Sequence, residues 1–397
     1  MRTLIQIIVV NIYNSPDCPE LKICVCVHEN NEILCKLPYS LINKLLAGHS
    51  KITIRDIARK AKVSPGTVDR VLHQRVGVSE KTRSNVLSII SELDYQPDIL
   101  ARTLASRKVI KLAAICPGRK NAGPFWQLPL DGMERAVNEI RHFGVTLHTF
   151  VFDHTQPGSF EKQSEKLLSV NPDGIIMVPL FTREAGLFSA NCSRRGIPFI
   201  YINSDIPARE NLSFIGQDAR ASGRVAASLL RNCVSVNEEV GIVNIAHHVD
   251  NQLHIVNREK GFREYFSEIA GTKGPRMASC STIENNPARM KRDLAAFFNK
   301  HDNLKAVFVT NSRVYLLANW LSRNQTGKLF LAGYDMLPES LQYLREGVID
   351  FLISQKPEEQ GYRGVMSLFR HLVLKQEVPI KQYLPIDIIT RENSVYY

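Results

Sequence analysis

The stretch "TIRDIARKAKVSPGTVDRVL", residues 53–72, contains two helix starts close together. Thr53 is followed three residues later by Asp56, the spacing of a reciprocal helix N-terminal cap. Apolar residues then recur at the spacing of one helix face, at Ile54, Ile57, Ala58 and Ala61. This pattern predicts a short amphipathic helix that packs its apolar side inward.

A second helix is predicted directly after the first, because Ser64 can cap it and Pro65 suits its first position. Gly66 is unfavourable inside a helix, by roughly 1 kcal/mol relative to alanine, and is expected where bulk is unwelcome. A third helix is predicted to start at Ser79. Its inward residues are expected to be Val86, Ile90 and Leu93. Three short helices with a tight turn between the first two are typical of a helix-turn-helix, whose second helix enters the DNA major groove.

The formal charge of +11 is concentrated around these helices. Residues 51–108 hold twelve Lys or Arg against six Asp or Glu. An excess of this kind favours a polyanionic partner, although a solvated basic surface without a partner would have the same composition.

The segment "TIRDIARKAKVSPGTVDRVLHQRVGVSEKTRSNVLSIISELDYQPDILARTLASRK" resembles the DNA-binding headpiece of the lactose-repressor (LacI/GalR) family. It keeps most of the family's helix-turn-helix pattern, at Thr53, Asp56, Ala58, Ala61, Val63, Ser64, Thr67, Val68, Arg70 and Val71. It departs at Asp69 and His73, where serine and asparagine are usual. The resemblance implies a helix-turn-helix domain over 51–97 and a hinge helix over 98–108.

The resemblance also implies which residues contact DNA. These are Thr53, Ser64, Pro65, Gly66, Thr67, Arg70, His73, Ala101 and Leu104. Pro65 and Gly66 cannot donate a side-chain hydrogen bond, so Arg70 is the best remaining reader of guanine. Leu104 is expected to wedge into the minor groove, where an apolar side chain between base steps bends the duplex. Lys51, Arg55 and Lys81 are expected to touch phosphates.

From residue 109 the chain alternates continuous apolar runs with amphipathic helices, as in "VIKLAAICP", "DGIIMVPL" and "EVGIVNIA". Such runs predict an α/β fold with parallel, doubly wound sheets covered on both faces. Residues 109–397 resemble a periplasmic-binding-protein type I domain, which implies two subdomains and a ligand in the cleft between them. The three crossovers are expected near 214–218, 333–337 and 354–357.

The same resemblance predicts the ligand contacts at strand ends. They are Phe125, Trp126, Asn203, Arg258, Asn311, Asp335 and Gln355. Two flat rings suit the apolar face of a sugar, and the arginine fork can bind two ligand oxygens. Asn203 and Ser312 stand where the family commonly has aspartate, so a sugar acid is a candidate beside a neutral sugar. A purine stacked on the two rings stays open.

The remaining features predict neither catalysis nor a cofactor. Eight cysteines show no paired C-x-x-C spacing, which favours reduced thiols over a zinc site. The run "HHVDNQLH", residues 247–254, is interpreted as a solvated loop rather than a metal site. Sequence motifs for a nucleophile elbow or a phosphate loop are absent in the required context. Residues 1–50 are expected to be an extension of unknown role or a start-site artefact.

The sequence therefore predicts a cytoplasmic, homodimeric repressor that binds palindromic operator DNA and answers to a small molecule, without a membrane partner. Higher oligomers are open. The alternative is a solute-binding protein that carries sugar without any DNA function, and residues 51–108 argue against it. An α/β enzyme is a third reading, which a turnover assay would separate from the other two.

Overall fold

The structure is a computed structural model that describes residues 28–29, 32–33, 52–72, 74–93, 95, 109–118, 124–207, 210–246, 249, 252–270, 274–324 and 328–397. The chain divides into two compact units, residues 1–97 and 98–397. Over the described part of the chain, no helix combines the length and apolarity needed to cross a membrane.

The described residues of the N-terminal unit form a short antiparallel pair and three helices. Strands β1 and β2 are His28–Glu29 and Glu32–Ile33. The helices are α1 (Ile54–Ala61), α2 (Pro65–Leu72) and α3 (Glu80–Glu92). Their buried core is formed by Ile57, Ala58, Ala61, Val68, Val71, Val86 and Ile89. The helix-turn-helix prediction is confirmed, with Ile89 rather than Ile90 as the buried residue near the end of α3.

The predicted caps set where these helices begin. Thr53 and Asp56 form a reciprocal capping box, in which the Thr53 amide donates to the Asp56 carboxylate at 3.0 Å. Ser64 Oγ accepts from the Thr67 amide at 3.1 Å, so α2 starts with Pro65 in its first turn. At Asp69, where the family pattern has serine, the carboxylate pairs with Arg75 at 3.3 Å.

The C-terminal unit contains two lobes, each built on a six-stranded sheet. The sheet of the first lobe has the order β13-β7-β6-β5-β3-β4 and is parallel throughout. Its strands are β3 (Ile110–Pro117), β4 (Val145–Phe152), β5 (Gly174–Met177), β6 (Phe199–Ile202), β7 (Ser213–Gly216) and β13 (Lys381–Tyr383). Its helices are α4 (Gln127–Ile140), α5 (Pro157–Ser169), α6 (Thr182–Arg194) and α12 (Pro357–Leu372), with a 3₁₀ turn at Pro124–Trp126. Every residue of β5 and β6 is buried, which requires cover on both faces of the sheet.

The second lobe has the strand order β14-β12-β11-β10-β8-β9, parallel except for the edge strand β14. The strands are β8 (Glu239–Ile245), β9 (Arg276–Thr282), β10 (Leu304–Val309), β11 (Phe330–Tyr334), β12 (Phe351–Ser354) and β14 (Asp387–Ile389). The helices are α7 (Ala219–Arg231), α8 (Leu253–Ala270), α9 (Pro287–Lys300), α10 (Val314–Asn324) and α11 (Pro338–Arg345). Val243 and Val307 pack in one core cluster, while Ile242 and Phe308 pack in another. Neighbouring residues of one strand thus face opposite sides of the sheet, and the doubly wound α/β prediction is confirmed.

The chain passes between the lobes at three places. The first lies at residues 217–218, between β7 and α7, and the second at 355–356, between β12 and α12. The third lies at 384–386, between β13 and β14. The predicted crossover near 333–337 is wrong, because β11 pairs with β10 and β12 inside the second lobe.

Helices α7 and α8 approach closely through two glycines. A Cβ at Gly223 would overlap the carbonyl oxygen of Arg258, and a Cβ at Gly261 would overlap that of Arg220. Only glycine permits this approach, so the position of the α8 backbone at Arg258 depends on contact with α7.

Gly66 should respond to substitution differently from a second glycine of the same unit. A Cβ at Gly66 would meet only Ser64 Oγ, at 3.8 Å, whereas Gly77 has a φ of +96° with open space around it. We expect Gly66→Ala to raise the free energy of unfolding by up to about 1 kcal/mol, through helix propensity. Gly77→Ala should lower it by about 1–2 kcal/mol, because the left-handed backbone disfavours a side chain. Both changes are measured by unfolding the full chain in urea and monitoring the hydrogen exchange of the amides in the helix-turn-helix unit. A loss of stability in Gly66→Ala would contradict the open space seen beside α2.

Candidate ligand-binding cleft

Polar side chains follow the carboxyl ends of neighbouring strands, where the two lobes face each other. Asn203 follows β6 in the first lobe, and Asn311 and Asp335 follow β10 and β11 in the second. Gln355 follows β12 at the second crossing. All four are buried, with at most 6 % of the residue exposed. Carboxyl ends of parallel strands are where open α/β sheets place their ligands.

These strand ends enclose a cavity between the lobes. The space open to the centre of a water molecule is about 20 Å³, which is room for one or two waters in this conformation. The cavity is lined by Phe125, Trp126, His154, Leu180, Asn203, Ala246, Gln252, His254, Arg258, Glu284, Asn311, Ser312, Arg313 and Gln355. A ligand larger than water therefore requires side chains or lobes to move.

Arg258, on α8, is the largest fully buried side chain near the cavity, with 2 % of its surface exposed. Its Nη1 donates to the Thr310 carbonyl at 2.8 Å, and its Nη2 donates to Gln355 Oε1. Its guanidinium carbon lies 3.8 Å from the centroid of the Tyr334 ring. Burial lowers the pKa of Arg258, which Tyr334 and Asp335 partly oppose. Both terminal nitrogens thus already have a protein partner, while Nε has none among the described residues.

Gln355 connects the two lobes through one amide. Its Oε1 accepts from Arg258 and also from Asn203 Nδ2 at 3.2 Å. Its Nε2 and its backbone amide donate to the two carboxylate oxygens of Asp335, at 2.5 and 3.0 Å. The orientation of the amide is set, since only Oε1 can accept from a guanidinium.

Asn203 and Asp335 also share an unusual backbone. Both have a left-handed conformation, with φ of 71° and 66°. Asn and Asp tolerate this conformation better than other side chains, and strained backbone often gathers at functional sites. Both strand ends therefore carry a sparsely populated backbone conformation beside the cleft.

Phe125 and Trp126 form an aromatic wall of the cavity. They belong to the 3₁₀ turn before α4, and their ring centroids lie 4.9 Å apart with an interplanar angle of 87°. Both are at least 95 % buried. The edge-to-face packing fixes the two rings as a rigid apolar surface opposite the polar strand ends.

A partly buried ionic cluster spans the cleft from one lobe to the other. Arg313, after β10, donates through Nε and Nη2 to both carboxylate oxygens of Glu284, and His154 of the first lobe contacts the same carboxylate through Nε2. Burial, with the nearby Arg313 charge, lowers the pKa of His154 to about 4. Burial also lowers the pKa of Arg313 to about 10. At neutral pH the neutral imidazole joins a carboxylate whose charge is balanced by Arg313.

Six of the seven predicted ligand contacts come together in the cavity wall, and Asp335 lies behind Gln355 as its partner. The sequence did not identify His154, Glu284 and Arg313. The interpretation of residues 247–254 as a solvated loop is wrong at His254, which lies in the first turn of α8 and is 93 % buried. His247, His248 and Asp250 lie outside the described residues, and no group of three metal-ligating side chains occurs among the described ones.

The predicted DNA contacts in the described part of the chain are distributed over α2 and the start of α1. Ser64, Pro65, Gly66 and Arg70 are exposed and Thr67 is half-buried, while Thr53 is exposed at the start of α1. His73, Ala101 and Leu104 lie outside the described residues. Asp69, beside Arg70, is engaged by Arg75.

Comparison with known sequences and structures agrees with this arrangement. The pattern of the bacterial regulatory proteins of the lacI family matches residues 53–98, and that of the periplasmic binding protein domain matches residues 113–376. The crystal structure of a protein assigned as a LacI transcriptional regulator from Bacteroides fragilis is 30% identical, with a TM-score of 0.69 over 73% of this chain and 100% of the other. The chain belongs to the lacI family of bacterial regulatory proteins.

Other relatives of this lacI-family protein share one part of it or its fold. Catabolite control protein A of Streptococcus mutans is 46% identical over 18% of this chain and 21% of its own length. The regulator MalR of Streptococcus pneumoniae is 26% identical over 39% of this chain and 46% of its own length. The chain thus spans less than half of these curated relatives. A solute-binding protein of Burkholderia graminis in complex with D-arabinose has the same fold, with 22% identity, a TM-score of 0.64, and coverage of 73% of this chain and 98% of the other.

Asp335 should make stability depend on pH. Burial raises its pKa from 3.8 to about 6, partly opposed by the Gln355 bonds and Arg258. A raised carboxyl pKa means that the folded state binds this proton more tightly, so its contribution favours folding at low pH and is lost as pH rises from about 4 to 6. The wild-type advantage over Asp335→Asn in free energy of unfolding should therefore shrink over that interval. Urea unfolding at pH 4, 5, 6 and 7 measures it, with Asp131→Asn, on the exposed surface of α4, as the control for losing one negative charge. A difference that stays constant with pH would show that Asp335 does not titrate there.

Proposed function

We propose that this lacI-family protein is a sequence-specific DNA-binding regulator whose operator affinity is controlled by a sugar or sugar acid bound between the two lobes. The single observation that carries the proposal is the presence, in one chain, of a helix-turn-helix and of an interlobe cleft with two aromatic rings and a buried guanidinium. The helix-turn-helix alone would predict only a DNA partner, and the cleft alone would predict only a small molecule.

The DNA partner is read by α2. Its tip carries Pro65 and Gly66, which offer no side-chain donor, so base recognition falls to Arg70 one turn later, with Ser64 and Thr67 beside it. A bidentate arginine contact to guanine discriminates by about 1–3 kcal/mol. Two headpieces of a homodimer would read a palindromic site. Ala101 and Leu104, in the segment that the family resemblance predicts to be a hinge helix, would deform its centre.

The ligand is recognised by complementary surfaces. Phe125 and Trp126 offer an apolar wall, and the opposite wall holds amides and a guanidinium, which is the pairing that a sugar ring with rim hydroxyls requires. Arg258 meets neutral acceptors only at its terminal nitrogens, and Glu284 is balanced by Arg313. This charge distribution accommodates a carboxylate on the sugar.

Regulation follows because the ligand lies between the two lobes, beside the places where the chain crosses from one lobe to the other. A ligand that prefers one lobe angle shifts the population of that angle, and a coupling of about 1–3 kcal/mol to the DNA site is reciprocal. Repression in the cytoplasm by a homodimer is the form of regulation proposed.

A second candidate function is a sugar carrier without a DNA role, favoured by the similarity to solved solute-binding proteins such as that of Burkholderia graminis. It is distinguished by DNA binding, which a carrier lacks.

The operator test uses Arg70. We expect Arg70→Ala to relax preference at one symmetric pair of operator positions, measured by base-by-base competition at fixed salt. Arg55→Ala and Lys81→Ala are the matched controls. Each should weaken binding to every sequence about equally and reduce the salt slope by about one. Equal weakening of all sequences by Arg70→Ala would remove α2 as the base reader.

The ligand test compares variants of two cleft residues, Trp126 and Arg258, with a variant of Trp320, which lies outside the cleft lining. A thermal-shift screen of sugars, sugar acids and nucleobases identifies stabilising compounds. Trp126→Ala and Arg258→Ala should abolish that stabilisation and leave operator binding intact. Trp320→Ala, where Trp320 stacks on Phe298 in the second lobe, should lower the basal melting temperature but keep the ligand shift. A ligand shift that survives in both cleft variants would reject this cleft as the effector site.

A further inference from the structure

The interlobe cleft has an outer compartment beside the first crossing. Its volume is about 210 Å³, compared with about 20 Å³ for the inner cavity. Its walls come from both lobes: Asp205 and Phe214 from the first, Arg220 from α7 of the second, and Lys381 and Tyr383 from β13. The outer compartment is therefore the larger of the two.

The two compartments meet at Asn203 and His254, which line both. Each has a buried polar atom with no hydrogen-bond partner within the described chain, Asn203 Oδ1 and His254 Nδ1. Asn203 Nδ2 is held by Gln355, so Oδ1 is an unused acceptor. Burial and the nearby arginines lower the pKa of His254, and a neutral ring nitrogen can accept or donate. A ligand hydroxyl can hydrogen-bond to either atom.

The charges of the outer compartment are matched within the protein. Lys381 pairs with Asp205 at 3.6 Å, and Arg220 pairs with Glu264 at 2.5 Å. Asp218 caps α7 through the Ala221 amide at 2.9 Å. No unmatched cation is left among these groups to attract a phosphate or carboxylate, so the compartment suits a neutral group with many hydroxyls.

An aromatic ring is presented in the outer compartment as well. Tyr383 is 50 % exposed and packs edge-on against Phe214, with ring centroids 6.1 Å apart. The cleft thus places an aromatic surface at each end and polar atoms at the junction.

We propose that the cleft binds a ligand of two sugar units, one between Phe125, Trp126 and Arg258 and a neutral one against Tyr383, with the linkage near Asn203 and His254. The proposal rests on the function proposed above and names its ligand class as disaccharides or glycosides of a second sugar. Tyr383 determines the preference for the longer ligand, and Lys381, whose Nζ lies 5.9 Å from the centroid of the Tyr383 ring, supports it in the same compartment.

The test compares matched sugars on the full chain by isothermal titration calorimetry. The pairs are glucose with maltose and cellobiose, galactose with lactose and melibiose, xylose with xylobiose, and galacturonate with digalacturonate. We expect at least one two-unit sugar to bind tenfold or more tightly than its single unit. Tyr383→Ala should reduce that advantage to about twofold while leaving the single unit unchanged. Trp126→Ala should weaken both.

Tyr396→Ala is the matched control, because Tyr396 is 83 % exposed and lies in the C-terminal 3₁₀ turn outside both compartments. Lys381→Ala is the second variant if loss of Tyr383 disturbs β13, and it should reduce the same advantage by threefold or more. A single unit that binds as tightly as every two-unit sugar, or an advantage that survives both variants, overturns the second compartment and leaves the proposed function standing. Failure of the whole panel to bind overturns both.

Discussion

The cleft depends on one buried amide. Gln355 joins Asn203 of the first lobe to Arg258 and Asp335 of the second, at a point where the chain crosses between them. A buried polar group that loses its partner costs about 1–3 kcal/mol, and more when the partner is charged. Any movement of the lobes that breaks these bonds must therefore replace them. This constraint restricts the lobes to arrangements in which Asn203 and Arg258 keep a partner, either Gln355 or a ligand.

The charged groups of the cleft also have partners within the protein. The positive charge of Arg258 is stabilised by the face of the Tyr334 ring and by Asp335, which lies behind Gln355. The guanidinium therefore has no direct contact with a carboxylate. Arg313 is neutralised directly by Glu284, which also reaches His154 across the cleft. Arg258 lies beside the crossing, whereas Arg313 belongs to a cluster whose His154–Glu284 contact joins the two lobes. A ligand can compete with the second cluster without disturbing the first, which allows binding energy to act on the lobe angle.

The packing of two helices supports Arg258 from behind. Gly223 and Gly261 bring α7 against α8 at the level of Arg258, so the guanidinium is positioned by helix packing as well as by its hydrogen bonds. The same α7 starts directly after the first crossing and contributes Arg220 to the outer compartment. Rotation of the lobes would move this helix relative to β13, and the outer compartment would change shape with it. Both compartments are therefore sensitive to the angle that the DNA-binding form of the protein would select.

The sequence by itself determined the helices of the N-terminal unit, because Thr53, Asp56, Ser64 and Pro65 act on backbone groups within a few residues of themselves. The apolar runs of the sequence also indicated the buried strands, and the resemblance of residues 109–397 to a periplasmic-binding-protein domain indicated six residues of the cavity wall. Only the tertiary structure decided the rest. Glu284 follows β9, an edge strand of mixed polar composition without a buried-strand pattern, and its pairing with Arg313 and His154 joins residues far apart in the chain. The third crossing connects two three-residue strands, which carry too few side chains to produce a periodic signal. Asn203 and His254 stand between the two compartments, and whether the compartments are separate depends on the distance between the lobes. That distance is set by packing and buried hydrogen bonds rather than by local propensity.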